Sequence, residues 1–232
     1  MSLIGLEAVP AALCIASIAF GGFLRGFLGF GGALVIVPSL SVFLSPLIAI
    51  GVLVLVELPN ILYLLPGSMR YSSPRVLQPL LFGLFFGVPI GFILLVSIDP
   101  NTIRVVIAVI LLMTVALIWS GWRVSGKMGK PIFFSAGALG GFIQGSTGVG
   151  GPPIVTTLIS TPDNPTVVRA NIVVSLSGLS LLHFAVLVFH DKITAEIILF
   201  SLLSAPLYVV CNFFGTKFFY YSEKSFFRVI AL

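Results

Sequence analysis

Few side chains in this chain of 232 residues can do chemistry, and those few stand in apolar company. Arg25 lies inside "GGFLRGFLGFGG" and Gln144 inside "GGFIQGSTGVGG", where Ser146 and Thr147 follow it. Glu57 interrupts "VLVELPN" and is the one carboxylate in the middle of a long apolar run. Asn171 and Ser175 are four residues apart, a spacing that puts both on one face of a helix. An arginine in such surroundings attracts or holds an anion, or else snorkels to an interface. Ser146 and Thr147 offer hydroxyls to an anion or to a neighbouring helix. Asn171 and Ser175 could line a path, with Ser177 close by. Glu57 could carry a coupling proton or serve as a paired structural carboxyl. No Ser/His/Asp constellation, metal-ligand cluster or Cys-x-x-Cys stands out, so neither an enzyme nor a cofactor is expected. Cys14 and Cys211 read as small core residues. His183 is expected to be a hydrogen-bonded structural histidine, and His190 and Asp191 to be solvated in a loop.

The elements that position these groups follow from composition. The chain is 58% hydrophobic and 8% charged, with a mean hydropathy of +1.20. A soluble domain carries about 25% charged residues. Apolar runs recur at about 8–24, 30–44, 47–65, 77–98, 102–120, 132–144, 152–160, 167–189, 193–214 and 226–232. A spanning helix needs about 20 apolar residues, and a β-barrel would need polar alternation that these runs lack. An all-α, polytopic membrane protein is expected, with the lipid bilayer as its first partner. The run from Ala8 is preceded by Glu7 and no basic residue, so it reads as the first membrane segment and not as a cleaved signal. The net charge of +5 is scattered through short loops, a pattern of membrane orientation and not of nucleic-acid binding.

The two glycine-rich stretches are an internal repeat. Offset by 119 residues, Gly21, Gly22, Phe23, Gly26, Gly29, Gly31 and Gly32 match Gly140, Gly141, Phe142, Gly145, Gly148, Gly150 and Gly151. "IAIGVLVLVELPNILYL" from Ile48 aligns with "VRANIVVSLSGLSLLHF" from Val168, which sets Ser177 opposite Glu57. "DPNTIRVVIA" likewise resembles "EKSFFRVIAL". The expected organisation is one repeat over 1–125 and a second over 126–232, whose last helix is short or truncated. If each glycine-rich region and the run after it form a pair that enters and returns, or crosses twice, Arg70, Arg75, Arg123, Lys127, Lys130, Arg169, Lys217, Lys224 and Arg228 share one side. Arg104 and Lys192 then lie opposite. The positive-inside rule favours that count, which makes the repeats inverted with the N-terminus outside.

Glycine costs about 1 kcal/mol relative to alanine inside a helix, so its concentration needs a reason. Gly22 with Gly26, and Gly141 with Gly145, have the spacing of close helix packing. Gly29, Gly31, Gly32, Gly148, Gly150 and Gly151 each precede an apolar run and read as breaks that line a pathway. Irregular backbone at membrane depth survives where it lines a cavity. The N–H groups at the start of the following half-helix suit an anion. Two such breaks brought together by inverted repeats make a transporter's midplane site.

"GFLRGFLGFGGALVIVPSL" followed by "GGFIQGSTGVGGPPIVTTLIS", with "RANIVV" at Arg169, resembles the sulfite exporter TauE/SafE family over essentially the whole chain. That resemblance implies transport of small sulfur-containing anions, such as sulfite or organosulfonates, across the cytoplasmic membrane without ATP hydrolysis. The chain departs from the family at "GVLVLVE", where relatives carry a small polar pair. A proton is the candidate coupling ion. An anion channel, a permease for other small anions and a homo-oligomer remain open alternatives.

Overall fold

The computed structural model describes residues 7–120 and 128–221. These form nine helices: α1 (Ala8–Leu28), α2 (Gly32–Phe43), α3 (Pro46–Met69), α4 (Pro74–Ser97), α5 (Pro100–Trp119), α6 (Lys130–Thr147), α7 (Gly151–Ile159), α8 (Pro165–Phe189) and α9 (Ala195–Tyr221). The expected run at 226–232, and Arg123, Lys127, Lys224 and Arg228, lie outside the described residues. Pro46, Pro74, Pro131, Pro152 and Pro165 occupy the first two positions of their helices. There a missing N–H leaves no bond unmade.

Six helices (α1, α3, α4, α5, α8 and α9) are long and apolar enough to cross a membrane. The 12 residues of α2 and the 9 of α7 cannot, since they rise about 18 and 14 Å against a hydrocarbon core of about 30 Å. Instead each doubles back along the helix before it. Gly21 of α1 faces Ile36 of α2, and Gly140 of α6 faces Ile154 of α7. The end of α2 is held from outside by Arg104 of α5, whose Nε donates to the carbonyl of Ser41 at 2.7 Å and whose Nη2 donates to that of Leu44 at 3.2 Å. A guanidinium there satisfies carbonyls that a helix end leaves open and opposes its dipole.

Glycine decides how the long helices pair. Gly83, Gly87 and Gly91 of α4 lie against the backbone of α6 at Phe134, Ala138 and Phe142. Gly137, Gly141 and Gly145 of α6 lie in turn against Leu80, Leu84 and Val88 of α4. The same device joins α1 to α9, where Gly22 and Gly26 meet the carbonyls of Tyr208 and Asn212, and Gly215 meets that of Phe23. Small residues every four positions let backbones touch, which is how apolar helices associate where lipid removes the hydrophobic drive. The close-packing role expected of Gly22 and Gly141 is therefore observed.

The chief contacts gather the helices into two groups. In one, α1 packs on α9 and α2, and α3 on α9 and α2; in the other, α4 packs on α6 and α8, and α7 on α6 and α8. The groups meet mainly along α3 and α8. These two are also the most enclosed spans, 56% and 61% buried against 17% for α5, so they are the helices able to carry a shielded polar site. The outward faces of α4, α5 and α9 present Phe, Leu, Ile and Val, as lipid requires.

Candidate functional site

The two breaks are built alike at the start and differently after it. α1 ends on Gly29 in the left-handed conformation (φ 81°), and α6 ends on Gly148 in the same way (φ 74°). Each caps its helix with its own N–H, donated to the carbonyls of Arg25 and Gln144 respectively. A side chain is disfavoured at such φ values. Gly31 is left-handed as well (φ 98°), whereas Gly150 is not (φ −78°). Gly150 is glycine for space: a Cβ there would lie 2.5 Å from Cβ of Gln144 and also strike the carbonyl of Gly140.

One cleft between the helix groups takes lining from both breaks. Arg25 of α1, Gly31 and Gly32 of the first break, and Leu53 and Glu57 of α3 line it on one side. Gln144 of α6, Val149 and Gly151 of the second break, and Leu176, Leu179 and Ser180 of α8 line it on the other. In this conformation it is narrow, with room of about 30 Å³ for water-sized spheres. Arg25 and Glu57 are the charged side chains of that lining, and both are buried, at 9% and 7% exposure. The Nε of Arg25 lies 3.6 Å from Oε1 of Glu57, and its Nη1 donates to the carbonyl of Gly29 at 2.9 Å. Arg25 thus faces a cavity and a partner; it does not snorkel to an interface.

Glu57 sits halfway along α3 and is held on both oxygens. The Ser180 hydroxyl donates to Oε2 at 2.5 Å, and the Tyr208 hydroxyl of α9 donates to Oε1 at 3.5 Å. Gln144, which holds the position of Arg25 in the second stretch, turns its Oε1 onto the N–H of Gly150 at 2.9 Å. Pro152 and Pro153 remove two further donors from the start of α7. At the start of α2, by contrast, no side chain among the described residues caps the N–H groups of Gly32 and Ala33, while that of Leu34 donates to the carbonyl of Gly31 at 3.1 Å. Donors left free at a helix N-terminus suit a negative charge.

Other expected residues fall elsewhere. Ser146 and Thr147 are buried but donate to the carbonyls of Phe142 and Ile143 one turn back in their own helix. Asn171 accepts from the N–H of Ser73 at 2.8 Å, and so ties α8 to the loop before α4. Ser175 is fully buried, and neither it nor Asn171 lines the cleft. Ser177, which the repeat sets opposite Glu57, is not its partner; Ser180, one turn further on, is. His183 is fully buried with no hydrogen bond to either ring nitrogen among the described residues, so it is not the hydrogen-bonded histidine expected. Sequence reasoning missed Ser180 and Tyr208. Ser180 carried a weak signal, as the residue aligned with Asn60 and one turn beyond Ser177. Tyr208 carried none, because a tyrosine in an apolar run reads equally well as an interfacial residue.

Comparison with known proteins bears on what this cleft serves. No solved structure matches the chain. A protein of Cupriavidus necator, named as a probable sulfite/organosulfonate exporter TauE, is 24% identical over 227 residues, which cover 94% of this chain and 84% of that protein. Residues 14–232 match the family described as Sulfite exporter TauE/SafE. With its span-length apolar helices and a match over nearly its whole length, the chain is a multi-pass membrane protein that belongs to the sulfite exporter TauE/SafE family, a family of transporters and not of enzymes.

Proposed function

We propose that the chain is a secondary transporter for small sulfur-containing anions, sulfite or organosulfonates, at a site between its two glycine-rich breaks. The observation that carries this reading is the convergence of both breaks on one cleft around a buried arginine. The guanidinium of Arg25 and the uncapped N–H groups at the start of α2 hold the anion. Gly31, Gly32, Gln144 and Gly151 line its seat, and Gly29, Gly148 and Gly150 shape the breaks. In this conformation Ser146, Thr147, Asn171 and Ser175 take no part. Glu57 carries the coupling proton.

Alternating access needs two bodies that move about a fixed site. The glycine interfaces α1–α9 and α4–α6 join elements of 1–125 to elements of 126–232. The moving bodies are therefore the two helix groups, and each draws on both sequence repeats. Their shared seam along α3 and α8 passes the cleft, and the Ser180–Glu57 hydrogen bond spans it.

Sulfite flux into proteoliposomes containing the purified protein tests the proposal, with sulfate, taurine and sulfoacetate as competitors. The expected result is saturable flux, accelerated by sulfite on the far side and lost in Arg25→Gln. Flux that does not saturate and shows no counterflow would indicate a channel. No flux of any sulfur anion through well-folded protein would refute the substrate class.

A further inference from the structure

The cleft holds one cation and one anion, each more than nine-tenths buried, in walls otherwise made of glycine, apolar side chains and the neutral polar groups of Gln144 and Ser180. The cation is the group that an incoming anion needs, and Glu57 already occupies it. We propose that transported anion and proton are taken up together at this pair: the anion takes the place of Glu57 on Arg25, and Glu57 takes up one proton as it is displaced. This deepens the transport reading above and rests on it.

The argument is one of charge. With Glu57 ionised the cleft is neutral, and a singly charged anion would bring it to −1 beside a carboxylate, away from water. Both like-charge repulsion and desolvation oppose that state. With Glu57 protonated the same anion leaves the cleft neutral. The carboxylate gains the proton at Oε1 or Oε2, and no other bond is made or broken. The surroundings tolerate either state, because the hydroxyls of Ser180 and Tyr208 can donate to a carboxylate or accept from a carboxylic acid. Among the described residues that line the cleft, no side chain other than those of Arg25 and Glu57 is ionisable; Arg169 and His183 of α8, Glu196 and Lys217 of α9 and Arg104 of α5 are not in its lining. The neighbours that face Glu57 are Arg25 from α1, Tyr208 from α9 and Ser180 from α8. α2 and α7 carry no ionisable side chain, and α6 carries only Lys130 at its far end.

The consequence is unusual for a buried ion pair: removing the carboxylate should improve anion binding. Calorimetric titration with methanesulfonate, whose charge is constant between pH 5.5 and 8, reads this directly. Wild-type protein should take up one proton per anion bound, seen by comparing buffers of different ionisation enthalpy. Its affinity should fall by about tenfold per pH unit as pH rises over the range in which Glu57 is ionised in the free protein. Glu57→Gln should bind at least as tightly as wild type at every pH, with no pH dependence and no proton uptake. Arg25→Gln added to Glu57→Gln should abolish that binding. Affinity independent of pH in wild type, or folded Glu57→Gln that binds no methanesulfonate, overturns the proposal. If Glu57→Gln does not yield folded protein, the proton count of the wild type decides alone. Where wild type carries sulfite but fails these tests, only the coupled uptake fails. Where it neither carries sulfite nor binds methanesulfonate, the transport reading falls with it.

Discussion

The break at 29–31 and the break at 148–150 share a sequence motif and a left-handed first glycine, and beyond that they are different devices. The first is conformational and charged. A Cβ on Gly29 would meet nothing within 4 Å, so glycine is there for its φ of 81° and not for room. Its side chain is an arginine, paired with a carboxylate. The second is steric and neutral. Gly150 has an ordinary φ and no room, and its N–H is already taken by Gln144. A duplicated motif can therefore keep its shape while its chemistry divides. One copy is left with a charge and a helix start that no described side chain caps; the other is closed on itself by Gln144.

This contrast can be broken, most strongly at the charge. Arg25→Met leaves Glu57 buried without its cation and should cost about 3–5 kcal/mol, the usual effect of removing one partner of a buried pair. Gln144→Met, at the matching position, breaks only a neutral hydrogen bond and should cost about 1–3 kcal/mol. Thermal unfolding of both in detergent compares them; equal losses would mean that the pair contributes no more than the amide. Gly150→Val comes next, at about 3 kcal/mol, because the added carbons meet backbone that cannot yield as a side chain would. The yield of monodisperse protein reports it, and wild-type yield would refute the steric account. At Gly29 the cost is conformational: Gly29→Ala should lose about 1–2 kcal/mol. Gly29→Asn should lose less, since asparagine enters the left-handed region more readily. If Ala and Asn are equivalent there, the φ argument fails. The smallest expected effect is at Arg104, outside either break. Arg104→Ala should loosen the end of α2 by about 1 kcal/mol, visible as faster amide exchange at Leu40–Leu44 with the cleft unchanged.

The repeat pairing also separates what was legible from what was not. Aligned by sequence, Ser177 stands opposite Glu57, yet the bond is made by Ser180. An alignment of repeats says which positions are equivalent, not which ones touch. Contact depends on how α3 and α8 cross, and that crossing is set by glycines on other helices. Tyr208 reaches Glu57 because α9 is drawn against α1 at Gly22 and Gly26.

The membrane class, the order of the apolar helices, the two breaks and the exceptional status of Arg25 and Glu57 were all determined by the sequence alone. Each rests on a local property: hydropathy over a span's length, glycine where helix propensity falls, a charge where lipid penalises one. The family resemblance came from the same glycine pattern. Only the tertiary structure decided that Arg25 meets Glu57 across two helices, that Gln144 closes its own break, and that the packed bodies cut across the sequence halves. Those outcomes depend on backbone contacts between segments far apart in the chain. Small residues permit such contacts at many positions, and only the assembled bundle selects among them.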